Sequence, residues 1–152
     1  MTVVTELRVL PALDLTFPSG LPGLQEVRRL RLEPLGASQN VFGRLFSQDA
    51  VQLAGHTLER LSLVVAAPGL LWPDYVAEVD DDTATLLELE DPADAAALVV
   101  VSVAERLEEC TANLFAPVVL NVRKGLAAQV VPTRADREET WPIRAPLPIP
   151  AA

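Results

Sequence analysis

Cysteine and histidine are nearly absent from this 152-residue chain, which holds one of each, Cys110 and His56. A single cysteine excludes an internal disulfide and fits a reducing compartment. One cysteine and one histidine cannot supply the four ligands of a typical structural zinc site. Glu108 and Glu109 precede Cys110 and disfavour its thiolate, which argues against a Cys–His catalytic pair. The sequence therefore predicts a non-enzymatic protein without metal or cofactor, and places His56 in a surface loop.

Long apolar runs are also absent. The longest uncharged one, Ala95 to Val101, is far shorter than the roughly 20 residues that a membrane-spanning helix needs. Charged residues at positions 6, 8 and 14 are unlike a signal peptide. We expect a cytoplasmic protein with no membrane partner. The length fits one domain, residues 1–144, followed by a proline-rich tail, residues 145–152, that is extended and frayed.

Lysine and arginine are missing between Arg60 and Arg106, and acids fill that interval. Ten acidic residues lie there: Asp74, Glu78, Asp80, Asp81, Asp82, Glu88, Glu90, Asp91, Asp94 and Glu105. This one stretch accounts for the net charge of −9 of the whole chain. Such a field repels nucleic acid and attracts basic proteins. The alternative interpretation is a solvated face that only keeps the protein in solution.

Aromatic residues make up only 5% of the chain, so the core must consist of Val, Leu and Ala. Short apolar or alternating stretches predict seven to nine strands, at Val3–Leu10, Leu13–Phe17, Val27–Leu32, around Phe42–Phe46, and at Leu61–Val65, Tyr75–Val79, Ala96–Val103, Pro117–Val122 and Leu126–Val131. No alternation with long helices occurs, so we predict an all-β fold, an antiparallel β-barrel-like domain with one or two short helices. The residues expected in its core include Val64, Leu98, Val100 and Val119.

The connections are predicted from turn and capping residues. Pro18 to Gly23 is expected to form a tight turn, and Asp49 to Gly55 a loop. His56 to Leu61 either extends that loop or forms one helical turn. A short helix over Thr83–Leu89 has Asp81 or Asp82 as its cap, with Thr85 and Glu88 as a competing capping box. Asp91 and Pro92 predict a further single turn, and Asn113 is expected to cap a turn or a strand end.

Four strings in the sequence are FPSGLPG at residues 17–23, LWPDY at residues 71–75, TANLFAPVVLN at residues 111–121 and WPIR at residues 141–144. Together, and in this order, they resemble the family of the flagellar assembly factor FliW. Residues 17–23, FPSGLPG, are similar to its F-x-x-G-L-P-G-F signature, with Leu24 in place of the last Phe. Residues 71–75, LWPDY, followed by Val79-Asp80-Asp81, resemble its F-F-P-D-Y stretch and later Asp. Residues 111–121, TANLFAPVVLN, are similar to T-A-N-L-x-A-P-I-V-I-N, and residues 141–144, WPIR, to its aromatic-Pro-Ile/Leu-Arg ending. The region 41–61 departs from the family pattern.

The resemblance implies a non-enzymatic β domain, monomeric when free, that binds two proteins. One is flagellin. The other is CsrA, an RNA-binding translational repressor, which the factor antagonises once flagellin has been exported. The residues implied in partner binding are Phe17, Leu21, Asp74, Tyr75, Glu78, Asp80, Asp81 and Asp82, and for Tyr75 and Trp72 core packing is an equal alternative. A competing hypothesis is a small-ligand-binding or enzymatic barrel with Asp74 and Tyr75 as an acid–base pair in a pocket.

Overall fold

The computed structural model describes residues 2–4, 10–36, 41–48, 50–53, 55–58, 60–131 and 141–148. The strands are β1 Thr2–Val4, β2 Leu13–Thr16, β3 Arg29–Pro34, β4 Phe42–Phe46, β5 Val51–Leu53, β6 His56–Leu58, β7 Ser62–Ala66, β8 Val76–Glu78, β9 Ala95–Ser102, β10 Thr111–Ala112, β11 Val118–Asn121, β12 Leu126–Gln129 and β13 Ala145–Pro146. The chain also has two short α-helices, α1 Pro68–Leu71 and α2 Asp81–Leu86, and two 3-10 turns, at Pro92–Asp94 and Leu107–Glu109. In these ranges no helix is long and apolar enough to cross a membrane.

Seven strands close a barrel, which confirms the predicted all-β class. They follow the order β11, β12, β2, β3, β4, β7 and β9, and β9 pairs back with β11. The pairings are antiparallel except at the seam between β12 and β2, where Leu126 lies opposite Thr16 in a parallel register. Closure removes the free strand edges that an open sheet of this size would expose.

The barrel interior holds one of two apolar clusters. Successive strands place Leu15 opposite Leu30, Leu32 opposite Leu45, and Leu98 opposite Val118, all on the inward face. Phe17 and Leu21, from the turn after β2, belong to the same cluster. The alternating pattern of β2 and β3 follows from this arrangement, because their other face carries Asp14, Arg29 and Arg31 to solvent.

A second cluster lies on the outside of the barrel wall, over β9. This strand buries both of its faces, since Ala97 and Val99 point outward while Ala96 and Leu98 point inward. The outward face is covered by β1, by the segment from Tyr75 to Leu89, and by Ala145 and Leu147 near the end of the chain. A strand packed on both sides has a continuous apolar sequence, which explains why Ala95 to Val101 contains no polar residue.

The core predictions were partly correct. Leu98 and Val119 are fully buried, whereas Val64 and Val100 are only half-buried and the fully buried neighbours are Val65 and Val99. When both faces of a strand are packed, the sequence does not show which face lies deeper. The Asp91–Pro92 turn is confirmed, because the Asp91 side chain accepts a hydrogen bond from the Ala93 N–H at 2.9 Å.

Two local predictions were wrong here, and one short helix was not predicted. Much of the region predicted as a loop from Asp49 to Gly55, with a further loop or helical turn from His56 to Leu61, is the hairpin of β5 and β6, whose strands pair with each other. The α1 turn after Ala67 was not predicted, although Pro68 at its first position favours it. The cap of α2 is Asp80 rather than Asp81 or Asp82, because the helix begins at Asp81, two residues before the predicted start at Thr83, and Asp80 keeps extended dihedral angles.

The ends of the chain are described only in part. Of the strand predicted at Val3–Leu10, Val3 and Val4 lie in β1 and Leu10 lies in no strand. Residues 5–9 lie outside the described ranges, as do Asp49, Ala54 and Glu59 of the β4–β7 region. In the predicted tail, β13 pairs with β10, and Ala145 and Leu147 are buried. Residues 149–152 lie outside the description, and the domain boundary at residue 144 stays a prediction.

Candidate functional site

The acidic segment, residues 74–91, crosses the outer face of the barrel and turns its charges to solvent. Its apolar side chains Ala77, Val79, Leu87 and Leu89 are buried in the outer cluster. All eight of its acids are exposed: Asp74, Glu78, Asp80, Asp81, Asp82, Glu88, Glu90 and Asp91. In β8 and the residue pair after it, strand periodicity alternates the two kinds of side chain, and Leu87 and Leu89 are buried again after α2. The segment therefore packs on the outer cluster through its apolar side chains and presents a ridge of acids without any basic residue of its own.

The first part of the ridge is held by β8. This strand pairs with β1 in antiparallel register, with Thr2 opposite Glu78. The Thr2 hydroxyl donates a hydrogen bond of 2.8 Å to Oε1 of Glu78. The two-stranded sheet therefore attaches the beginning of the acidic segment to the N-terminal end of the chain.

The middle of the ridge is α2. Oδ1 of Asp80 accepts a hydrogen bond of 2.7 Å from the Thr83 N–H, as an N-cap does. Hydrogen bonding from the Thr83 side chain, and then from its backbone, lowers the pKa of Asp80 below its ordinary value. Asp81 and Asp82 occupy the first turn, where the helix dipole favours negative charge.

The helix ends in a Schellman motif with glutamate at the position where glycine is usual. The Glu88 N–H donates to the Thr85 carbonyl at 3.0 Å and the Leu89 N–H to the Ala84 carbonyl at 2.9 Å. Glu88 has φ = 54°, and among the described residues no other non-glycine has positive φ. Glu88 is thus at the C-terminal end of the helix, so the capping box predicted with Thr85 was wrong.

Asn121, at the end of β11, connects the barrel to this helix end. Its side chain is buried, and Nδ2 donates to the Leu87 carbonyl at 2.9 Å and to the Glu88 carbonyl at 3.3 Å. Its Oδ1 accepts from the Lys124 N–H at 3.1 Å. Nζ of Lys124 lies 3.1 Å from Oε1 of Glu88. Asn121 was not predicted as a site residue, and its only signal in the sequence is a polar residue directly after the apolar run Val118–Leu120.

Tyr75 lies below the ridge, not on it. The residue is 1% exposed, its hydroxyl donates to the Leu114 carbonyl at 2.8 Å, and its ring meets Trp141 edge-to-face with 4.8 Å between ring centroids. Asp74, its neighbour, is exposed. The two side chains therefore do not line a common pocket, which removes the geometry that the acid–base hypothesis requires. Trp72 is half-buried beside the same cluster.

Phe17 and Leu21 are buried in the barrel interior, so neither side chain is available at the surface in this structure. They anchor the turn that the sequence predicts between residues 18 and 23. Arg28 closes the turn from outside, donating from Nε to the Gln25 carbonyl at 2.9 Å and from Nη1 to the Pro18 carbonyl. Of the eight predicted contact residues, the structure groups the five acids on the ridge and buries the other three.

The remaining chemical groups lie away from the ridge. A cavity of about 260 Å³ on the outer face of β2 and β3 is lined by Asp14, Leu15, Thr16, Arg29, Leu30, Arg31 and Gln48. Arg31 is paired there with Asp14 at 2.9 Å. Cys110 is buried, and His56 is exposed on β6 rather than in a loop. In the described ranges, no three His, Cys, Asp or Glu residues are grouped to hold a metal ion.

The four family-like strings and the barrel agree with what comparison with known proteins shows. The family model described as FliW protein matches residues 1–147. The chain belongs to the FliW family. A flagellar assembly factor FliW of Bacillus licheniformis is 34% identical over 119 residues, which cover 77% of this chain and 76% of the relative.

Other relatives and a solved structure carry the same name. The flagellar assembly factor FliW of Bacillus subtilis strain 168 is 32% identical over 76% of this chain and 74% of its own length. That of Syntrophus aciditrophicus is 46% identical over 70 residues, 46% of this chain and 44% of the relative. A crystal structure of the flagellar assembly factor FliW superposes with a TM-score of 0.70 at 26% identity, over 98% of this chain and 92% of that one. This member of the FliW family therefore resembles its relatives in fold as well as in sequence.

Proposed function

We propose that this member of the FliW family acts in flagellar assembly as a non-enzymatic protein-binding factor. It binds flagellin and, when flagellin has left, binds the RNA-binding repressor CsrA and opposes its hold on RNA. The observation that carries the proposal is the ridge: eight exposed carboxylates on residues 74–91, with no base among them, mounted on a packed apolar layer. A repressor that binds RNA presents a basic surface to the phosphates, and the ridge offers that surface a competing negative charge.

The acids of the ridge fall into two groups. Glu78, Asp80, Glu88 and Asp91 each accept a bond from the protein, from Thr2, Thr83, Lys124 and Ala93. The side chains of the other four, Asp74, Asp81, Asp82 and Glu90, accept no hydrogen bond and form no ion pair within the described residues. The first group has a structural role that accounts for its presence. The second group adds repulsion without an intramolecular partner, so it is the group most suited to contact a basic protein.

The test removes charge only from the second group. Asp81→Asn, Asp82→Asn and Glu90→Gln together should slow association with purified CsrA about tenfold at low salt, because the summed field of such a ridge sets the encounter rate. The slowing should shrink at high salt, where the Debye length falls to about 3 Å. These three side chains make no hydrogen bond or ion pair within the described residues. Losing two favourable charges from the first turn of α2 and relieving the repulsion along the ridge act in opposite directions, so the melting temperature should stay within a few degrees of the wild type.

A matched control removes the same charge elsewhere. Glu26, Glu108 and Glu109 are exposed acids outside the segment, and changing all three to Gln should slow association less than twofold. If both triple variants slow association equally, net charge and not the ridge determines the rate. If neither does, the acids serve only solubility and the proposed CsrA contact lies elsewhere. Flagellin binding is measured in parallel with both variants.

A further inference from the structure

We propose that Asn121 is a positioning residue for the acidic ridge: it holds Glu88 in a left-handed backbone conformation and so fixes where the carboxylates after α2 point. This inference rests on the proposed function, since it concerns the same ridge. It starts from an unfavourable feature of the structure, a glutamate with φ = 54° at the end of α2.

A left-handed residue other than glycine is strained and persists when its surroundings hold it in place. Glycine at position 88 would adopt the same dihedral angles freely. The exposed position of the Glu88 side chain shows that it contributes no core packing. What glutamate supplies there, and glycine cannot, is a carboxylate on the ridge.

Besides the Schellman hydrogen bonds of α2 itself, the contacts that hold Glu88 come from one turn of the barrel. Asn121 is 2% exposed and directs its amide nitrogen at this helix end, to the carbonyls of Leu87 and Glu88. Its Oδ1 fixes the Lys124 N–H, and the Lys124 side chain then reaches the Glu88 carboxylate. The backbone and the side chain of Glu88 are therefore both held by the turn between β11 and β12.

We call these contacts of Asn121 and Lys124 with Glu88 the clamp. The direction of the chain beyond α2 depends on it. Leu89 returns to the outer cluster directly after Glu88, and its N–H closes the Schellman motif on the Ala84 carbonyl. Glu90 and Asp91 follow at once and are exposed. Without the amide of Asn121, the left-handed residue loses its support, and the carboxylates of Glu88, Glu90 and Asp91 no longer hold a fixed position relative to α2.

A double-mutant cycle tests the inference. The four proteins are the wild type, Asn121→Ala, Glu88→Gly and the double variant. Association with purified CsrA is followed by stopped flow at low salt. Asn121→Ala should slow association about fivefold when residue 88 is glutamate and less than twofold when it is glycine, because directly coupled residues are not additive. Asn113→Ala is the control, since Asn113 caps a different turn through the Ala116 N–H at 3.0 Å, and should leave the rate unchanged.

Hydrogen exchange of the Leu89 amide gives a readout that needs no partner. Asn121→Ala should speed its exchange at least tenfold when residue 88 is glutamate and leave it unchanged when the Glu88→Gly substitution is also present. If Asn121→Ala does not fold, Asn121→Ser is used in the same cycle. Equal effects of the Asn121 change in both backgrounds, on either readout, would overturn the inference, because Asn121 would then act only on its own turn. If the wild type fails to bind CsrA, the proposed function is overturned. The exchange measurement would still decide whether Asn121 holds Glu88 in its left-handed conformation.

Discussion

Replacing Gly20 with alanine should destabilise the protein far more than the same change at Gly23, three residues away in the same turn. Both glycines have left-handed backbones, with φ of 69° and 75°. A Cβ on Gly20 would lie 2.4 Å from the carbonyl oxygen of Gln25 and 2.6 Å from its Cα. A Cβ on Gly23 would meet nothing within 4 Å. The two substitutions therefore share the backbone cost and differ only in the steric one.

The magnitude follows from these two terms. A left-handed alanine costs roughly 1–2 kcal/mol, and the stiffer unfolded chain offsets about 0.4–1 kcal/mol of that at either site. The Cβ at Gly20 meets backbone atoms, which cannot rotate away as a side chain could, so an overpacking cost of about 1–3 kcal/mol is added. The difference between the two variants should be about 1–3 kcal/mol.

Thermal unfolding followed by circular dichroism measures this difference. For a domain of this size, 1 kcal/mol corresponds to about 2–4 °C, so Gly20→Ala should melt roughly 2–12 °C below Gly23→Ala. Urea titration of the same pair provides an independent comparison through the midpoint at constant slope. Equal melting temperatures for the two variants would refute the claim that the turn is held against Gln25 at Gly20.

Two further predictions concern Tyr75, below the ridge, and Asp80, on it. Tyr75→Phe should cost about 1–3 kcal/mol, because the buried Leu114 carbonyl loses the hydroxyl that donates to it; a melting temperature within about 1 °C of wild type would contradict this. Asp80→Ala should cost about 1 kcal/mol at pH 7 through loss of the N-cap. Since the folded-state pKa of Asp80 is lowered from 3.8, its contribution is present above that value and is lost as the pH falls through the folded-state pKa. The melting temperatures of variant and wild type should therefore converge in acid, and a gap that stays constant into strong acid would show that ionised Asp80 is not the stabilising form.

The physical meaning of the F-x-x-G-L-P-G string could be predicted only in part from the sequence. Glycine and proline predict the turn, and the structure shows the turn where expected. The apolar residues of the string were interpreted as contact residues, yet Phe17 and Leu21 lie in the barrel interior. A solvent-facing loop can carry apolar residues for docking or for anchoring, and composition does not distinguish the two. The burial of Phe17 and Leu21 shows that both side chains anchor the turn in this structure.

The ridge was predictable because apolar and acidic residues alternate in its first part. Ala77 to Asp80 has the pattern of a strand with one wet face, and the structure turns its acids outward. The clamp at Glu88 was not predictable in this way. It joins residues 33 positions apart through the Asn121 amide, and a polar residue after an apolar run indicates a buried hydrogen bond only once its burial is known. The β5–β6 hairpin was missed for a different reason, since each of its strands is only three residues long and too short to show an alternating pattern.

The repulsion among the acids of the ridge destabilises the fold, and this cost supports a role in binding rather than in solubility. Eight like charges on residues 74–91 repel one another and oppose folding, and the chain compensates by giving four of them a structural bond and by packing the segment on β9. Compensation of that kind would be unnecessary if the segment were neutral, and a solubility role could be met by acids spread over the surface. Concentrating them on one packed apolar layer produces a directed field, as the proposed binding to a basic protein requires. The charge-matched comparison of Asp81, Asp82 and Glu90 with Glu26, Glu108 and Glu109 separates these two explanations, because only a directed field distinguishes the positions of equal charges.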